Sequence, residues 1–364
     1  MARQLIFFVG TTAELIKVMP VLRLLGERKS PFQIVLSGQN DLSASELWPL
    51  AGLSGPHVVL SHDAIPQSPS GLMAWFVRML VRAPRRLSKE FSSLADSLVV
   101  VHGDTVSTLL GAISAKRLGA KLGHIEAGLR SFRWLRPFPE EICRVAVSEL
   151  ADIAFCPNAW AAGHLRYKPE LKIINTEQNT LYDSLQLALT HPVRSSRSER
   201  YFVCVLHRQE NLLDRELVRE VLTAVIDESK RRRCVFVLHP PTEAALERSG
   251  ALFRLRQATE IELVPRLAYL EFVHLLRGAD FIVTDGGSNQ EEATYLGKPC
   301  LVLREETERT EGQNENVVLM KRDRLALPRF FLEFECYQRP PLVATHSPSA
   351  IIADELDAWL LQHG

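Results

Sequence analysis

The sequence has no excess charge of either sign and no long apolar run. Lys and Arg together number 43, as do Asp and Glu, so no net positive field attracts nucleic acid. No apolar run approaches the ~20 residues that a membrane-spanning helix needs. The start of the chain reaches Gly10 and the charged Glu14 too soon for a signal peptide. We therefore expect a cytoplasmic protein with no nucleic-acid partner and no transmembrane segment.

Closely spaced cysteines are also missing. The six cysteines lie far apart and form no C-x-x-C pair, which argues against a zinc site and against a disulfide framework. We expect reduced thiols at all six positions, which are Cys143, Cys156, Cys204, Cys234, Cys300 and Cys336.

Short apolar runs alternate with helical patterns along the 364 residues, which is typical of βαβ units and parallel sheets. This length suits two α/β domains better than one core. We expect two Rossmann-like domains whose parallel sheets face a central cleft. A polar linker at 191–200 divides domain 1–190 from domain 191–364, and an amphipathic segment at 349–361 packs back on the first domain. The predicted strands are 4–9, 32–36, 97–102, 121–125, 153–156, 201–206, 235–238, 261–264, 280–284 and 299–303.

Segment 71–87 is unusual because it is both apolar and basic. One interpretation is a helix that packs on the core and directs its arginines outward. The other is a surface for peripheral contact with a membrane or a lipid-linked acceptor. We expect Pro84 to interrupt any single long helix here.

Acidic residues follow two neighbouring predicted strands of the first half and open the helix after them. Asp104 and Glu126 each come just after a strand, where open α/β sheets place their ligands. Glu140 follows Pro137 and opens helix 140–150. Each acid alone has an ordinary structural explanation, such as a helix cap. Together they predict a group with separated pKa values, as proton transfer on a sugar requires. Arg144, one turn after Glu140, tunes it or holds a phosphate.

Four other junctions predict contacts with a phosphorylated ligand. Gly10 and Thr12 lie between the first strand and its helix, where backbone N–H groups bind phosphate or the glycine merely makes the turn. His207 and His239 each follow a strand of the second half and are candidates for holding a diphosphate. The small-residue turn at 285–288 opens a helix, which predicts an anion site, and Glu292 lies one turn inside it.

These segments, in this order, resemble the non-hydrolysing UDP-N-acetylglucosamine 2-epimerase family, which has the glycosyltransferase-B fold. The likeness is densest at 99–165, which contains HGDT, HIEAGLR and PFPEE, and it resumes at LHRQENL and TDGGSNQEEATYLGKPCLVLREETERTE. The resemblance implies elimination of UDP to a 2-acetamidoglycal and its return, with proton exchange at C2. It implies a UDP-sugar substrate and no metal or redox cofactor, and members of the family commonly form homodimers.

Residue roles follow from the resemblance by position. Asp104, Glu126 and Glu140 correspond to the proton-handling carboxylates. His207 corresponds to the phosphate-side group, with Lys17 and Arg144 in support. The substrate and nucleotide site is expected at Gly10, Thr12, His239, Asp285, Gly286, Gly287, Ser288, Glu292 and Arg309.

The chain departs from the family pattern mainly at the nucleotide and diphosphate contacts. Thr12 stands where an arginine is expected, and Gly286 stands where a serine is usual. Ser288 and Asn289 replace a glycine and an aliphatic residue. The first hypothesis is a nucleotide-sugar 2-epimerase. A glycosyltransferase on the same scaffold and a non-catalytic nucleotide-sugar binding protein are the alternatives.

Overall fold

A computed structural model describes residues 3–63, 69–91, 94–134, 138–193, 197, 199–321 and 323–362 of the chain. Pro137, from the PFPEE segment, lies outside these residues, as does part of the predicted linker. Within the described residues, no helix combines the length and the apolar character needed to cross a membrane.

The strands are short and mostly buried. In chain order they are β1 (Gln4–Val9), β2 (Phe32–Leu36), β3 (Val58–Val59), β4 (Ser97–His102), β5 (Lys121–Ile125), β6 (Ile153–Cys156), β7 (Lys172–Asn175), β8 (Tyr201–Leu206), β9 (Arg233–Leu238), β10 (Ile261–Pro265), β11 (Ile282–Thr284), β12 (Cys300–Val302) and β13 (Val317–Leu319).

Helices separate almost all of these strands. In chain order they are α1 (Thr12–Glu27), α2 (Leu47–Leu50), α3 (Pro69–Glu90), α4 (Val106–Arg117), α5 (Glu140–Leu150), α6 (Ala159–Gly163), α7 (Leu181–Thr190), α8 (Gln209–Leu213), α9 (Arg215–Ser229), α10 (Pro240–Arg248), α11 (Ala251–Gln257), α12 (Tyr269–Gly278), α13 (Gly287–Tyr295), α14 (Ala326–Glu333) and α15 (Pro348–Leu361). A 3₁₀ turn, Phe334–Tyr337, follows α14.

Two parallel sheets organise these elements, as the alternating pattern predicts. The described strands of the first sheet run in the order β3-β2-β1-β4-β5-β6-β7, and those of the second run β10-β9-β8-β11-β12-β13. In both sheets the first strand of the unit is central, and the order reverses beside it, which is the Rossmann-like arrangement. The central strands β1, β4 and β8 are apolar and buried on both faces, as parallel sheets covered by helices require. The predicted fold class is confirmed.

The chain divides into two compact units. Unit 1 comprises Met1–Ser184 and Ala344–Gly364, and unit 2 comprises Leu185–Val343. The division falls inside α7, which ends just before the predicted linker. Each unit has its own apolar core around its own sheet.

The last helix belongs to unit 1, as its amphipathic pattern predicts. Asp357 of α15 accepts hydrogen bonds from Ser30 Oγ (2.5 Å) and from Arg28 Nη1 (2.9 Å). The guanidinium of Arg3 lies 4.3 Å from the centre of the Trp359 ring, a cation–π contact. These contacts hold α15 beside the start of the sheet and the end of α1.

Helix α3 corrects one expectation, because it runs unbroken from Pro69 to Glu90 with Pro84 inside it. A proline in a helix lacks the N–H that would bond to the carbonyl four residues earlier, here that of Leu80. Arg117 of α4 supplies that donor instead, since its Nη1 lies 2.6 Å from the Leu80 oxygen. A neighbouring helix thus satisfies the carbonyl that the proline leaves without its usual partner.

Candidate active site

Glu126 stands directly after β5 in a left-handed backbone conformation, with a φ of 66°. This region is uncommon for a residue with a side chain. The side chain is buried, and Lys17 of α1 forms an ion pair with its Oε2. Asn179 Nδ2 donates to the same oxygen at 2.6 Å, and His102 Nε2 lies 3.4 Å from it. The carboxylate is therefore fixed in orientation and faces a buried cation.

Asp104 lies between β4 and α4, just before the residue that caps the helix. Thr105 and Thr108 exchange reciprocal hydrogen bonds of 3.1 Å, which fix the start of α4. Arg144 of α5 extends its Nη2 to within 2.5 Å of Asp104 Oδ2. Arg144 is buried and Asp104 partly exposed. The ion pair joins the carboxyl end of β4 to α5.

Glu141, the residue after Glu140, is buried and accepts several hydrogen bonds, although it is not among the carboxylates predicted to handle protons. Its carboxylate accepts from Arg130 Nε (2.6 Å), from the backbone N–H groups of Ser131 (2.9 Å) and Phe132 (3.3 Å), and from Arg144 Nη1 (3.3 Å). Burial raises the pKa of Glu141, but these hydrogen bonds and the charge of Arg144 outweigh it, so the pKa lies below its usual value. Glu141 thus holds both Arg144 and the loop after β5.

The predicted carboxylates share neighbours, which shows that unit 1 brings them together. Burial lowers the pKa of His124 to about 4, against the opposing effect of Asp104 and Glu126. Burial likewise raises the pKa of Cys143 to about 12, and the charges of Asp104 and Glu140 add to the rise. His124 therefore lies within electrostatic reach of Asp104 and Glu126, and Cys143 lies within reach of Asp104 and Glu140. The imidazole stays neutral and the thiol stays protonated at neutral pH.

A further buried acid, Glu14, lies under the first strand–helix junction. Its carboxyl accepts from the Gly10 N–H (2.7 Å), Thr105 Oγ1 (2.6 Å) and Thr11 Oγ1 (3.1 Å). Burial raises the pKa of Glu14 to about 7 despite these hydrogen bonds, and the charge of Asp104 adds to the rise. Glu14 is the second acid near Asp104 that sequence reasoning did not single out for chemistry.

The junction at 10–12 uses its backbone donors internally. The N–H of Gly10 donates to Glu14, and that of Thr12 donates to Asn40 Oδ1 at 3.3 Å. Gly10 has no room for a side chain, because a Cβ would lie 1.9 Å from Ser107 Oγ. The close approach of strand and helix explains this glycine, and the phosphate contacts expected at Gly10 and Thr12 stay a prediction.

In unit 2, Asp285 organises the loop that carries His207. Asp285 is fully buried at the end of β11, and its Oδ1 lies 3.0 Å from His207 Nδ1. It also accepts from the backbone N–H groups of His207 (3.0 Å) and Arg208 (3.0 Å), and from Asn211 Nδ2 (3.3 Å). Burial raises the pKa of Asp285, but His207 and these donors outweigh it and hold the pKa below its usual value. Asp285 orients the loop that carries His207, and the ligand contact expected from the sequence stays a prediction.

His239, at the end of β9, stacks on His207 with ring centres 5.2 Å apart. Burial lowers the pKa of His239 to about 4, and electrostatic interactions with His207 and Arg266 contribute. The His239 ring is therefore neutral at neutral pH. The structure brings both predicted histidines together beside Asp285.

The predicted nucleotide turn opens α13, with Gly286 as its N-terminal cap. Gly287 lies against Arg309, whose Nε would be 2.7 Å from an added Cβ. Arg309, also predicted to bind substrate, is buried and its Nη1 lies 2.5 Å from Glu291 Oε1. Ser288 is partly exposed in the first turn of the helix. The arginine therefore supports the base of the turn.

Glu292 lies in the second turn of α13 and is buried. Its Oε2 accepts a hydrogen bond from Asn289 Nδ2 at 2.9 Å. Burial and the charge of Glu292 raise the pKa of Tyr269 well above its usual value, so the phenol stays protonated. Among the described residues, no group of His, Cys, Asp or Glu is arranged to hold a metal ion.

The fold and these two groups of side chains define an α/β protein of the glycosyltransferase-B type. A glycosyltransferase from Streptomyces nogalater shares the fold with a TM-score of 0.54, although it is only 15% identical over 99% of this chain and 100% of that one. The model of the UDP-N-acetylglucosamine 2-epimerase family matches residues 27–326. The chain belongs to the UDP-N-acetylglucosamine 2-epimerase family.

Individual relatives of the chain support this family membership. A UDP-N-acetylglucosamine 2-epimerase from Methanococcus maripaludis is 32% identical over 323 residues, which cover 85% of each chain. A UDP-2,3-diacetamido-2,3-dideoxy-D-glucuronate 2-epimerase from Pseudomonas aeruginosa is 30% identical over 316 residues, 84% of each chain. The crystal structure of the Methanocaldococcus jannaschii UDP-GlcNAc 2-epimerase, in complex with UDP-GlcNAc and UDP, has a TM-score of 0.81 at 28% identity and covers 98% of this chain and 100% of that one.

The family places the chain among enzymes of the isomerase class and confirms the resemblance on which the residue roles rest. It favours the epimerase hypothesis over the glycosyltransferase alternative. The individual residue roles stay predictions.

Proposed function

We propose that this chain is a nucleotide-sugar 2-epimerase that interconverts UDP-N-acetylglucosamine and UDP-N-acetylmannosamine, or a closely related pair of UDP-sugars. The observation that carries the proposal is the acidic group of unit 1, in which Glu126 faces the ammonium of Lys17 and Asp104 faces the guanidinium of Arg144. Paired acids with different surroundings are what proton removal and proton return at one carbon require.

The proposed reaction balances without a cofactor. One carboxylate accepts the proton from C2 of the sugar, and the C2–H electron pair forms the C1–C2 double bond of a 2-acetamidoglycal. The C1–O bond breaks, and its electrons leave with UDP. A carboxylic acid then protonates C2 on the opposite face, and a phosphate oxygen of UDP re-forms the C1–O bond. Two separately placed acids explain how the configuration at C2 is inverted.

The remaining site residues suit the departing diphosphate and its nucleoside. His207, oriented by Asp285, donates to the phosphate oxygen on which charge develops. The first turn of α13 offers a positive helix end to a phosphate. Glu292, a buried carboxylate, accepts from the ribose hydroxyls. In this proposal the nucleotide contacts come from unit 2.

Proton NMR of the purified protein with UDP-N-acetylglucosamine in deuterium oxide tests the proposal. We expect the C2 proton signal to disappear as the manno-configured product grows and takes up deuterium. Because one relative is named for a diacetamido-glucuronate substrate, the same measurement with that UDP-sugar identifies the preferred sugar. UDP binding without exchange in either sugar would contradict the proposal and favour the transferase or the binding protein.

We also propose that the outer face of α3 binds a second copy of the chain. Trp75, Met79 and other side chains on its inner face are buried, whereas Met73, Val77 and Val81 are about half exposed or more (50%, 58% and 50%) and recur every fourth residue. An exposed apolar stripe of this kind is typical of an interface. Light scattering of the unmodified protein should give the mass of a dimer. The Val77→Asp variant should give the mass of a monomer. A monomer that instead sediments with anionic vesicles would favour the membrane interpretation of 71–87.

We propose the cytoplasm as the site of action. All six cysteines are free thiols, and five of them are buried. Free thiols are typical of proteins that work in a reducing compartment. Labelling of the thiols in intact cells, before and after reduction, tests this location.

A further inference from the structure

We infer that Asn289 fixes the orientation of Glu292 and is thereby a positioning residue for recognition of the nucleotide ribose. This inference rests on the proposed nucleotide site of unit 2. Asn289 stands where the family resemblance leads us to expect an aliphatic residue.

A chain of hydrogen bonds with only one consistent direction leads to Glu292. Thr284 Oγ1 accepts from the Gly286 N–H (3.0 Å) and donates its own proton to Asn289 Oδ1 (2.9 Å). That bond places the amide nitrogen of Asn289 on the other side, where it donates to Glu292 Oε2 (2.9 Å). Since a carboxylate only accepts, a flipped amide would turn its oxygen toward Glu292 and lose that bond, whereas the observed orientation keeps both.

The hydrogen-bond network is buried, so its bonds are stronger than they would be in water. Thr284 is fully buried, and Asn289 and Glu292 are 9% and 3% exposed. A glutamate has three side-chain torsions to restrict, and a buried carboxylate that is held before the ligand arrives loses less entropy on binding. Asn289 therefore serves ribose recognition by holding the carboxylate that accepts from the hydroxyls.

Gly286 makes room for this arrangement. A Cβ at position 286 would lie 2.6 Å from Asn289 Oδ1 and 2.8 Å from His207 Cε1. The family's usual serine at this position would collide with both side chains as they stand. The two departures, glycine at 286 and asparagine at 289, are thus linked through space: the small residue admits the amide that orients Glu292.

Calorimetric titration with UDP and with its 2′-deoxy analogue tests the inference without requiring turnover. We expect Asn289→Leu to weaken UDP binding about tenfold and to remove most of the preference for UDP over the deoxy compound. Because Asn289 acts through Glu292, the double variant Asn289→Leu/Glu292→Gln should bind UDP no more weakly than Glu292→Gln alone. Thr294→Val is the control, since the Thr294 hydroxyl donates to the backbone of the same helix at Gln290, and the UDP affinity of this variant should stay within twofold.

Thr284→Val supplies a second variant if Asn289→Leu fails to fold, because it keeps the branched shape and removes the hydroxyl that holds the amide. It should show a smaller loss of UDP affinity and the same non-additivity with Glu292→Gln. Wild-type affinity in either folded variant, additive losses in the double variant, or no UDP binding by the unmodified protein would each overturn the inference. A protein that binds UDP but does not epimerise would instead contradict the proposed function alone.

Discussion

The guanidinium of Arg144 joins Asp104 to Glu141: its Nη2 lies 2.5 Å from Asp104, and its Nη1 lies 3.3 Å from Glu141. Asp104 is a candidate for proton transfer, whereas Glu141 faces the loop after β5. The orientation of the reactive carboxylate therefore depends on an acid that need not touch the substrate. This dependence can be measured.

Glu141→Gln should lower kcat by about 100-fold, because Arg144 and the loop lose a charged acceptor and small displacements at a reacting group are costly. Substrate affinity should change much less. Steady-state kinetics separates the two effects, and Glu170→Gln, an exposed residue of unit 1, is the matched control. A kcat within twofold of wild type would show that Arg144 holds Asp104 without Glu141.

Asp285→Asn should lower kcat by about 10²- to 10⁴-fold, because the amide holds His207 in a different tautomer and weakens its role toward the phosphate. The loop at 207–211 should stay in place, since an amide oxygen still accepts backbone N–H bonds. Nitrogen-15 NMR of the His207 ring reports the tautomer, with His191→Gln as a control outside the site. An unchanged spectrum of the His207 ring together with normal turnover would show that Asp285 does not set the tautomer of His207.

His124 should make unit 1 sensitive to mild acid. Its pKa falls from the ordinary 6.5 to about 4 in the fold, so the stability that comes from a neutral ring is complete above pH 6.5 and is lost as the pH falls toward 4. At pH 5 the loss should be about 2 kcal/mol relative to pH 8. Glu14, whose pKa is raised to about 7, changes stability in the opposite direction over this range.

A variant isolates the histidine from that opposing effect. His124→Gln cannot gain a proton, so the difference in unfolding free energy between wild type and variant should shrink by about 2 kcal/mol between pH 8 and pH 5. Urea unfolding at both pH values measures it. A difference that does not change with pH would mean that the fold leaves the pKa of the His124 ring at its ordinary value.

Arg117→Met should destabilise the protein by about 1 kcal/mol, because the carbonyl of Leu80 loses the donor that replaces the missing N–H of Pro84. In a Pro84→Ala background the helix supplies its own N–H, so the same substitution should cost clearly less. Unfolding free energies of the four proteins in this cycle test the coupling. An equal loss of unfolding free energy in both backgrounds would show that the effect of Arg117 does not depend on Pro84.

The sequence predicts the central strands well and the sheet edges poorly. Strands such as β1 and β8 are apolar over almost their whole length because helices cover both faces. The unpredicted strands β3, β7 and β13 are two to four residues long, lie at sheet edges and are only partly buried, so no apolar run marks them. In the unbroken α3, Arg117 of another helix bonds to the carbonyl that Pro84 leaves without its usual donor, and no local pattern around Pro84 can indicate this contact.

The sequence also predicts the site residues that directly follow strands, because parallel strands end at one edge of a sheet. Asp104, Glu126 and His207 all stand at such ends. Glu141 carries a weaker signal, because a second acid in the first turn of a helix has an ordinary explanation. Asn179 carries none: it reaches Glu126 from 53 residues further along the chain, and only the folded structure shows it.

The most direct test of the account is C2 deuterium exchange in three carboxamide variants, Asp104→Asn, Glu126→Gln and Glu140→Gln, measured by proton NMR with UDP-N-acetylglucosamine in deuterium oxide. The account predicts that each variant keeps its fold and UDP binding but loses exchange and epimerisation, since each acid handles or supports a proton at C2. Near-wild-type exchange in all three variants would contradict it.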